Sequence, residues 1–335
     1  MLKFHGMKNE GGKTMARLLA AAVFPVLLAA AGSHAAQAGF PDKPIRLIIG
    51  SAPGSGPDIM ARLIADHLDG VWGQRVVVDA RPGVAGIISA EQTLRANPDG
   101  YTWMILTSQL LVATSVYPNV KFSLEKDFSS VSLIGTVPFV LVVSPELPAR
   151  SVRELIELAK KAPGGLKYGS AGAGASEHLS GVMFNRLTGT EMLHVPYKGV
   201  PQAIADTMAG EVQLTYAVLP AALPQIQAGR LRATGVTSPK RSFALPDVPS
   251  IGEVVPGYSM LGWYSIVAPV GTPKAIVEKA SVEIIKASKE AEFGVQMKTI
   301  GVDLVASGPA ELDAWRKGQR KTISELVKAA GVTIH

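Results

Sequence analysis

Short apolar runs alternate along the chain with segments in which apolar residues recur at helical spacing. The apolar runs are rich in β-branched residues, which is typical of buried strands. They predict strands at Ile45–Ile49, Val76–Asp79, Thr102–Leu106, Val131–Val143, Lys167–Ser170, Met192–Val195, Val212–Val218, Leu231–Thr237 and Trp263–Ala268.

The clearest predicted helix is Ser151–Lys161, in which Ser151 and Glu154 have the spacing of a capping box. Strands that alternate with helices predict an α/β protein whose sheets are mainly parallel and flanked by helices. The other predicted helices are Asp58–Leu68, Ala85–Ala96, Glu177–Leu187, Pro201–Ala209, Ala221–Ala228, Pro273–Lys289 and Pro309–Ala330.

Two segments are expected to cross between two lobes. Val131–Val143 is long for one strand and contains Pro138, and Leu245–Tyr258 is rich in Pro and Gly, as expected of a return linker. These crossings predict a first lobe from residues 39–138 and 240–335, and a second lobe from residues 139–239.

The first 38 residues have the layout of a secretory signal peptide. Basic residues precede the apolar stretch Leu18–Ala31, and "AQA" at Ala36–Ala38 predicts cleavage after Ala38. A membrane anchor is the less favoured alternative, because the stretch is short for a bilayer span and contains Pro25. Translation could start at Met1 or at Met15, and the sequence leaves both starts open.

Charge and cysteine content exclude several classes of function. The formal net charge is +6, and removal of the predicted signal peptide, with four basic residues and one acidic residue, lowers it to about +3. This charge forms no basic cluster, so nucleic-acid binding has no support, while a mild positive field helps to steer small anions. Because the chain has no Cys, disulfides, thiol nucleophiles and thiolate metal sites are excluded.

Several Gly- or Pro-bearing turns follow predicted strands and open predicted helices. Ligands of open α/β sheets bind beyond the carboxyl ends of strands, where helix N-termini present unpaired N–H groups that favour anions. Two Gly-rich turns in different lobes therefore indicate a carboxylate or phosphate held between the lobes. The turns are "APGSGPD" (Ala52–Asp58), "SAGAGASEH" (Ser170–His178), "PYKGVPQ" (Pro196–Gln202) and "AVLPAALP" (Ala217–Pro224).

Nucleotide-binding and catalytic motifs are weak or missing. The first turn has only two glycines of a dinucleotide fingerprint, since Ile59 occupies the third position, and no Gly-Lys-Ser/Thr follows either Gly-rich turn. Neither H-E-x-x-H nor G-x-S-x-G occurs. Ser176 and His178 lie two residues apart at a helix start, so they point in different directions, and His178 is expected to cap or pack. We therefore expect no catalytic residue, no metal site and no cofactor.

Several longer strings, taken together in their order along the chain, resemble one family. They are similar to the periplasmic substrate-binding receptors of tripartite tricarboxylate transporters, the Bug family, over essentially the whole mature chain. The strings are "FPDKPIRLIIGSAPGSGPD", "RPGVAG" (Arg81–Gly86), "NPDGYTW" (Asn97–Trp103), "KDFSSVSLIG" (Lys126–Gly135), "YGSAGAGASEHLSG" (Tyr168–Gly181), "HVPYKG" (His194–Gly199), "AGRLRATGVTSPKRSFALPDVPSIGE" (Ala228–Glu253) and "GWYSIVAPVGTP" (Gly262–Pro273).

The resemblance implies a two-lobed periplasmic binding protein, of type II-like architecture, that closes on a small organic carboxylate and delivers it to a membrane permease. The expected protein acts as a monomer in the periplasm. A ligand-sensing receptor that serves a signalling partner is the first alternative, and an exported enzyme is a second and weaker one. Carried over by position, the ligand-binding residues are Gly54, Ser55, Gly56, Asp58, Thr107, Ser108, Ser170, Gly172, Gly174, Ala175, Ser176, Tyr197 and Ala217.

The chain departs from the family pattern at hydroxyl and acidic positions. Gly56 and Pro57 stand where Ser and Thr are usual, Ala175 replaces a Thr, and Ala217-Val218 replaces an acidic residue that follows the strand in many members. A buried polar ligand group without a partner costs about 1–3 kcal/mol. We therefore expect a carboxylate with a less polar body, aromatic or branched, rather than an amino acid.

Overall fold

The computed structural model describes residue 1 and residues 39–331, so the predicted signal peptide lies, except for Met1, outside the described residues. Ten strands occur in the described part of the chain. They are β1 (Ile45–Ile49), β2 (Val76–Ala80), β3 (Thr102–Thr107), β4 (Phe128–Val143), β5 (Lys167–Ser170), β6 (Leu193–Pro196), β7 (Leu214–Val218), β8 (Arg232–Val236), β9 (Leu261–Pro269) and β10 (Asp303–Ser307).

Ten α-helices occur over the same residues, with short 3₁₀ turns at Val84–Gly86 and Ile251–Glu253. No described helix combines the length and the apolar character that a membrane span requires. The helices are α1 (Gly56–Trp72), α2 (Ile87–Leu94), α3 (Ser108–Val116), α4 (Val152–Lys161), α5 (Ser176–Thr188), α6 (Val200–Ala209), α7 (Leu219–Gln227), α8 (Lys274–Ala287), α9 (Ala291–Thr299) and α10 (Pro309–Ala330).

The strands form two mixed sheets that share β4. In the first, β2, β1 and β3 are parallel, and β9 connects β3 to the first part of β4 by antiparallel pairing. In the second, β6, β5 and β7 are parallel, and the last part of β4 is antiparallel to both β7 and β8. The first and second lobes named below are built on these two sheets, and the predicted two-lobed α/β class is confirmed. The sheets are not mainly parallel as predicted, because β4 and β9 pair antiparallel with their neighbours.

Strand β4 passes from one sheet to the other at Pro138. Residues Phe128–Pro138 pair with β9, whereas pairing with β7 and β8 begins at Phe139 and Val140. Proline has no N–H to donate to a neighbouring strand. At Pro138, where β4 changes its partner from β9 to β7 and β8, this missing donor costs the sheets few hydrogen bonds. The predicted crossing and the observed one thus involve the same residue.

The return segment packs mostly on the second lobe before the chain enters β9. Ile251, Val255 and Tyr258 are buried in one cluster with Tyr168 and Phe184 of that lobe. Met260, two residues after Tyr258, is buried instead in the first-lobe cluster that contains Met104 and Trp263. The lobe boundaries given above remain a proposal.

A close contact also joins the lobes outside β4. Gly301 follows α9 of the first lobe with φ +70°, and a Cβ atom there would lie 2.5 Å from Cγ of Pro220. Pro220 is the second residue of α7 in the second lobe. The two lobes therefore approach each other at a residue that has no side chain.

Candidate ligand-binding site

Two adjoining cavities lie between the lobes, at the carboxyl ends of strands. The polar cavity, which includes Ser55, Thr107 and Tyr264 in its lining, has a volume of about 300 Å³. The apolar cavity, which includes Val112, Val116 and Val200, has a volume of about 360 Å³. Both are lined by Gln109, Ser176, Glu177 and Val218, so they form one continuous cleft. This is the place at which ligands bind in open α/β proteins.

The start of α1 forms one wall of the polar cavity. Gly54 has φ +79°, and its N–H donates to Oδ2 of Asp58 at 2.9 Å, which closes the loop. Arg62 donates to the same oxygen, and these two bonds outweigh the burial that would raise the pKa of Asp58, so that its pKa is lowered. Asp58 is therefore ionised and stabilises the loop through these hydrogen bonds, and it does not line the cavity.

Ser55 is the N-cap of α1, but its side chain caps no backbone N–H. Its Oγ is buried without a hydrogen-bond partner among the described residues, and Ser55, Gly56 and Pro57 line the polar cavity. A buried hydroxyl without a partner is costly. The Ser55 hydroxyl lies at a helix N-terminus, where anions are favoured, so it is available to donate a hydrogen bond to a bound anion.

The start of α3 adds a second helix N-terminus to the same cavity. Thr107, Ser108 and Gln109 line the wall, and the Thr107 side chain caps no N–H of the helix. Tyr264 of β9 lies opposite Thr107 in the strand register and lines the cavity too. Burial raises the pKa of Tyr264 to about 12, so its hydroxyl stays protonated and can donate a hydrogen bond.

The start of α5 supplies the wall on the second lobe, and two histidines hold its loop. The N–H of Gly174 donates to Nδ1 of His178 at 3.0 Å, and Nε2 of His194 lies 2.6 Å from Oγ of Ser170. The two imidazoles stack with ring centroids 3.8 Å apart. Burial, together with the charge that His194 would carry, lowers the pKa of His178 to about 4, so this brace is neutral at pH 7.

Glu177, the second residue of α5, is an acidic side chain that faces both cavities. Only 7% of the residue is exposed to solvent. Burial raises the pKa of its carboxyl to about 7, and its own backbone N–H opposes this only in part. The carboxyl therefore carries a proton in a large fraction of molecules near neutral pH.

The structure brings only some of the predicted site residues to the cavity walls. The N–H of Gly172 donates a hydrogen bond to Oγ of Ser170 within the loop. Tyr197 packs beside Gly169, and Ala217 is fully buried in β7. Gly54 and Asp58 bond each other behind the first wall. The predicted residues that line a cavity are Ser55, Gly56, Thr107, Ser108, Gly174, Ala175 and Ser176.

Other wall residues were not predicted from the sequence. Phe139 and Val137 come from the crossing strand, and Tyr264 comes from β9. Glu177 could have been noticed as an acid in the Gly-rich turn, but an acid in the first turn of a helix is common because it stabilises the helix dipole. Its burial is what distinguishes it.

The apolar cavity has a different character. Apart from residues shared with the polar cavity, its walls are mostly small and branched apolar side chains and Tyr117. These groups offer few hydrogen bonds and favour an apolar ligand body. The small and branched apolar residues of these walls are Ala85, Val112, Ala113, Val116, Ala171, Ala173 and Val200.

Comparison with known proteins identifies the family. The model of the tripartite tricarboxylate transporter family receptor matches residues 60–332. The chain belongs to this receptor family. It is 36% identical to the protein BugT of Bordetella pertussis over 269 residues, which cover 78% of this chain and 82% of BugT.

Solved structures agree with this assignment to the Bug receptors. The structure of R. palustris Rpa4515 with adipate is 33% identical, has a TM-score of 0.73 and is matched over 88% of this chain and 99% of that one. The periplasmic binding protein BugD is 31% identical, with a TM-score of 0.70 and the same coverage of both chains. The predicted family is therefore confirmed, and the fold is that of solute-binding receptors.

Proposed function

We propose that this receptor captures a small organic carboxylate in the cleft between its lobes and delivers it to the membrane permease of a tripartite tricarboxylate-type transporter. The observation that supports this most is the convergence of the N-termini of α1, α3 and α5 on one cavity. Each N-terminus presents N–H groups without carbonyl partners and the positive end of a helix dipole.

The cleft walls favour binding by neutral donors over binding by an ion pair. Among the described residues that line either cavity there is no Lys, Arg or His. A carboxylate would be held by backbone N–H groups and by the hydroxyls of Ser55, Thr107 and Tyr264. The homologue Rpa4515, whose structure contains adipate, shows that a receptor of this kind can take an aliphatic acid.

The apolar cavity next to the polar one supports a ligand with an apolar body. With its carboxylate at the three helix N-termini, such an acid would extend past Val218 toward Val112 and Val116. Burial of apolar surface contributes about 25 cal/mol per Å², which would favour a branched, aromatic or longer aliphatic acid. We place the receptor in the periplasm, where its family acts.

Thermal-shift measurements and calorimetry on the purified protein test this function. The panel is adipate, malate, glutamate, hexanoate and phenylacetate. We expect at least one acid with an apolar body to stabilise the protein and to bind with a 1:1 ratio. Ser55→Ala should weaken that binding by about tenfold or more, because a charge-assisted hydrogen bond contributes about 1.5–3 kcal/mol.

Ser288→Ala serves as the control, because Ser288 is a buried serine at the end of α8 and lies outside both cavities. Its ligand affinity should equal that of the wild type. Absence of stabilisation by every acid in the panel would contradict the proposed function. Uptake of the bound acid by membrane vesicles that contain the permease, dependent on this receptor, tests delivery.

A further inference from the structure

Glu177 is the acidic group at the centre of the cleft. It lies where the polar and apolar cavities meet, and 93% of its surface is buried, since 7% is exposed. Within the described residues, the hydrogen bond that its carboxylate accepts comes from its own backbone N–H. Because Glu177 lines both cavities, its carboxyl group retains hydrogen-bonding capacity for a ligand in the cleft.

Among the described residues that line the two cavities, none carries a positive charge beside Glu177. Tyr117 at the end of α3 and Tyr264 of β9 are the other titratable residues on the two cavity walls, among the residues described. On neighbouring elements, His178 is bonded to the N–H of Gly174, and His194 to Ser170. Tyr168 of β5 and Tyr216 of β7 are fully buried, and Arg186 on α5 pairs with Glu325 of α10 at the surface.

A buried carboxylate without a cation prefers to take up a proton, and a second anion close by increases this preference. A neutral carboxyl has an O–H donor, whereas an ionised one can only accept. If the ligand is the organic acid of the proposed function, two carboxyl groups meet in this cleft. They can do so favourably when they share a proton, as paired carboxylates do elsewhere.

We propose that Glu177 is a specificity-determining residue, whose protonated carboxyl group donates a hydrogen bond to an oxygen atom of the bound acid. This inference rests on the proposed function. It gives the receptor a preference for acids that offer an acceptor oxygen beside Val218 and disfavours ligands that carry an ammonium group there. It also replaces the donors missing at Gly56, Pro57 and Ala175 with one from a position that the sequence pattern did not indicate.

Calorimetry with adipate, in two buffers of different ionisation enthalpy, tests this inference on the full mature protein. Phenylacetate is the probe if adipate does not bind. The wild type should take up about one proton per bound acid at pH 8, and its affinity should fall about tenfold per pH unit above pH 7. Glu177→Gln, which keeps an N–H donor, should bind within about threefold of the wild type at pH 6 and without this pH dependence.

Glu177→Ala should lose about tenfold or more in affinity at pH 6, since the donor is removed. Glu292→Gln is the matched control, because Glu292 is also the second residue of its helix, α9, but is exposed and outside both cleft cavities. It should retain the proton uptake and the affinity of the wild type.

Two results would overturn the role of Glu177 while leaving the proposed function intact. One is tight binding of a carboxylate with no proton uptake and no loss in Glu177→Ala. The other is binding of glutamate that strengthens as pH rises and is lost in Glu177→Gln, because this would show an ionised Glu177 paired with an ammonium group. Failure of every acid to bind would contradict the proposed function and this inference together.

Discussion

At the scale of single residues, the first turn of α5 contains a buried acid, Glu177, and a buried base, His178, whose effects on stability respond to pH in opposite directions. Glu177 has a raised pKa, so it costs stability when it ionises, whereas His178 has a lowered pKa and costs stability when it gains a proton. The two effects oppose each other between pH 5 and pH 7. Single variants compared with the wild type therefore reveal more than the pH profile of the wild type alone.

The first prediction concerns Glu177→Gln in the absence of ligand. The folded-state pKa of Glu177 lies above its unfolded value, so the stabilisation it provides is present below about pH 4.5 and is lost as pH rises through 7. The variant should gain about 3 kcal/mol over the wild type at pH 8 relative to pH 4. Urea unfolding at both pH values measures this, and an equal difference at both would contradict it.

The second prediction concerns His178→Asn, whose amide oxygen can still accept the N–H of Gly174. The folded-state pKa of His178, about 4, lies below the unfolded value near 6.5. The wild type should therefore lose about 2 kcal/mol between pH 7 and pH 5 that the variant does not lose. Chemical denaturation of both proteins at pH 5, 6 and 7 checks this, and parallel profiles would rule it out.

Residue roles were only partly predictable from the sequence. Ser55, Thr107 and Ser176 follow strands, so their place at the sheet edge could be predicted from the alternating pattern. The sequence does not show that Asp58 braces Gly54 or that Ser170 bonds Gly172, because these contacts depend on loop geometry. Nor does it show that Glu177 is buried, since burial of a first-turn acid depends on packing against elements that are distant in the chain.

At the scale of elements, the predictions follow the strength of the hydrophobic pattern. Strand β1 begins and ends at the predicted residues because it is an apolar run between Pro44 and Gly50, and α10 does so because Pro309 opens it and Gly331 follows its last residue. Helix α3 was not predicted, since its residues are buried on most sides and show no polar face. Strand β10 was not predicted either, because it is a short, bulged strand with polar residues at both ends.

The third prediction concerns the contact of Gly301 with Pro220. Gly301→Ala would place a Cβ atom 2.5 Å from Pro220 Cγ and would push the ends of α9 and α7 apart. We expect the affinity for the acid to fall about tenfold, as the lobes can no longer approach as closely. Calorimetry measures the change, and Pro220→Ala in the same molecule should restore part of it.

Gly73→Ala is the matched control for this prediction. Gly73 also has a positive φ, +65°, at a helix end, but nothing lies within 4 Å of a Cβ atom there. Both variants should lose about 1 kcal/mol of stability through backbone strain. An equal affinity loss in both would show that strain, and not the contact between lobes, is responsible.

At the scale of the whole molecule, a two-lobed receptor works by closing around its ligand. The fourth prediction follows from the absence of Cys, which lets two introduced Cys residues carry spin labels without background. We place one label at Arg153 of α4 in the second lobe and one at Val282 of α8 in the first, both of them exposed.

The distance between these labels should shorten and its distribution should narrow when adipate or phenylacetate is added. Pulsed electron resonance measures both quantities. The same label pair in Ser55→Ala should need about tenfold more acid for the same change, because the variant binds more weakly. A distribution that does not change at saturating acid would contradict closure.

The route of the chain through the two lobes has a consequence for how the protein folds. All strands of the second sheet come from one continuous stretch, from the end of β4 to β8, whereas the first sheet needs β1–β4 together with β9 and β10 from the end of the chain. The second lobe has the shorter sequence separations, and such contacts form faster. We therefore expect the second lobe to become protected from hydrogen exchange first during refolding. The first sheet is incomplete until β9 and β10 pair with it, so we expect the ligand cleft to be the final part of the protein to form.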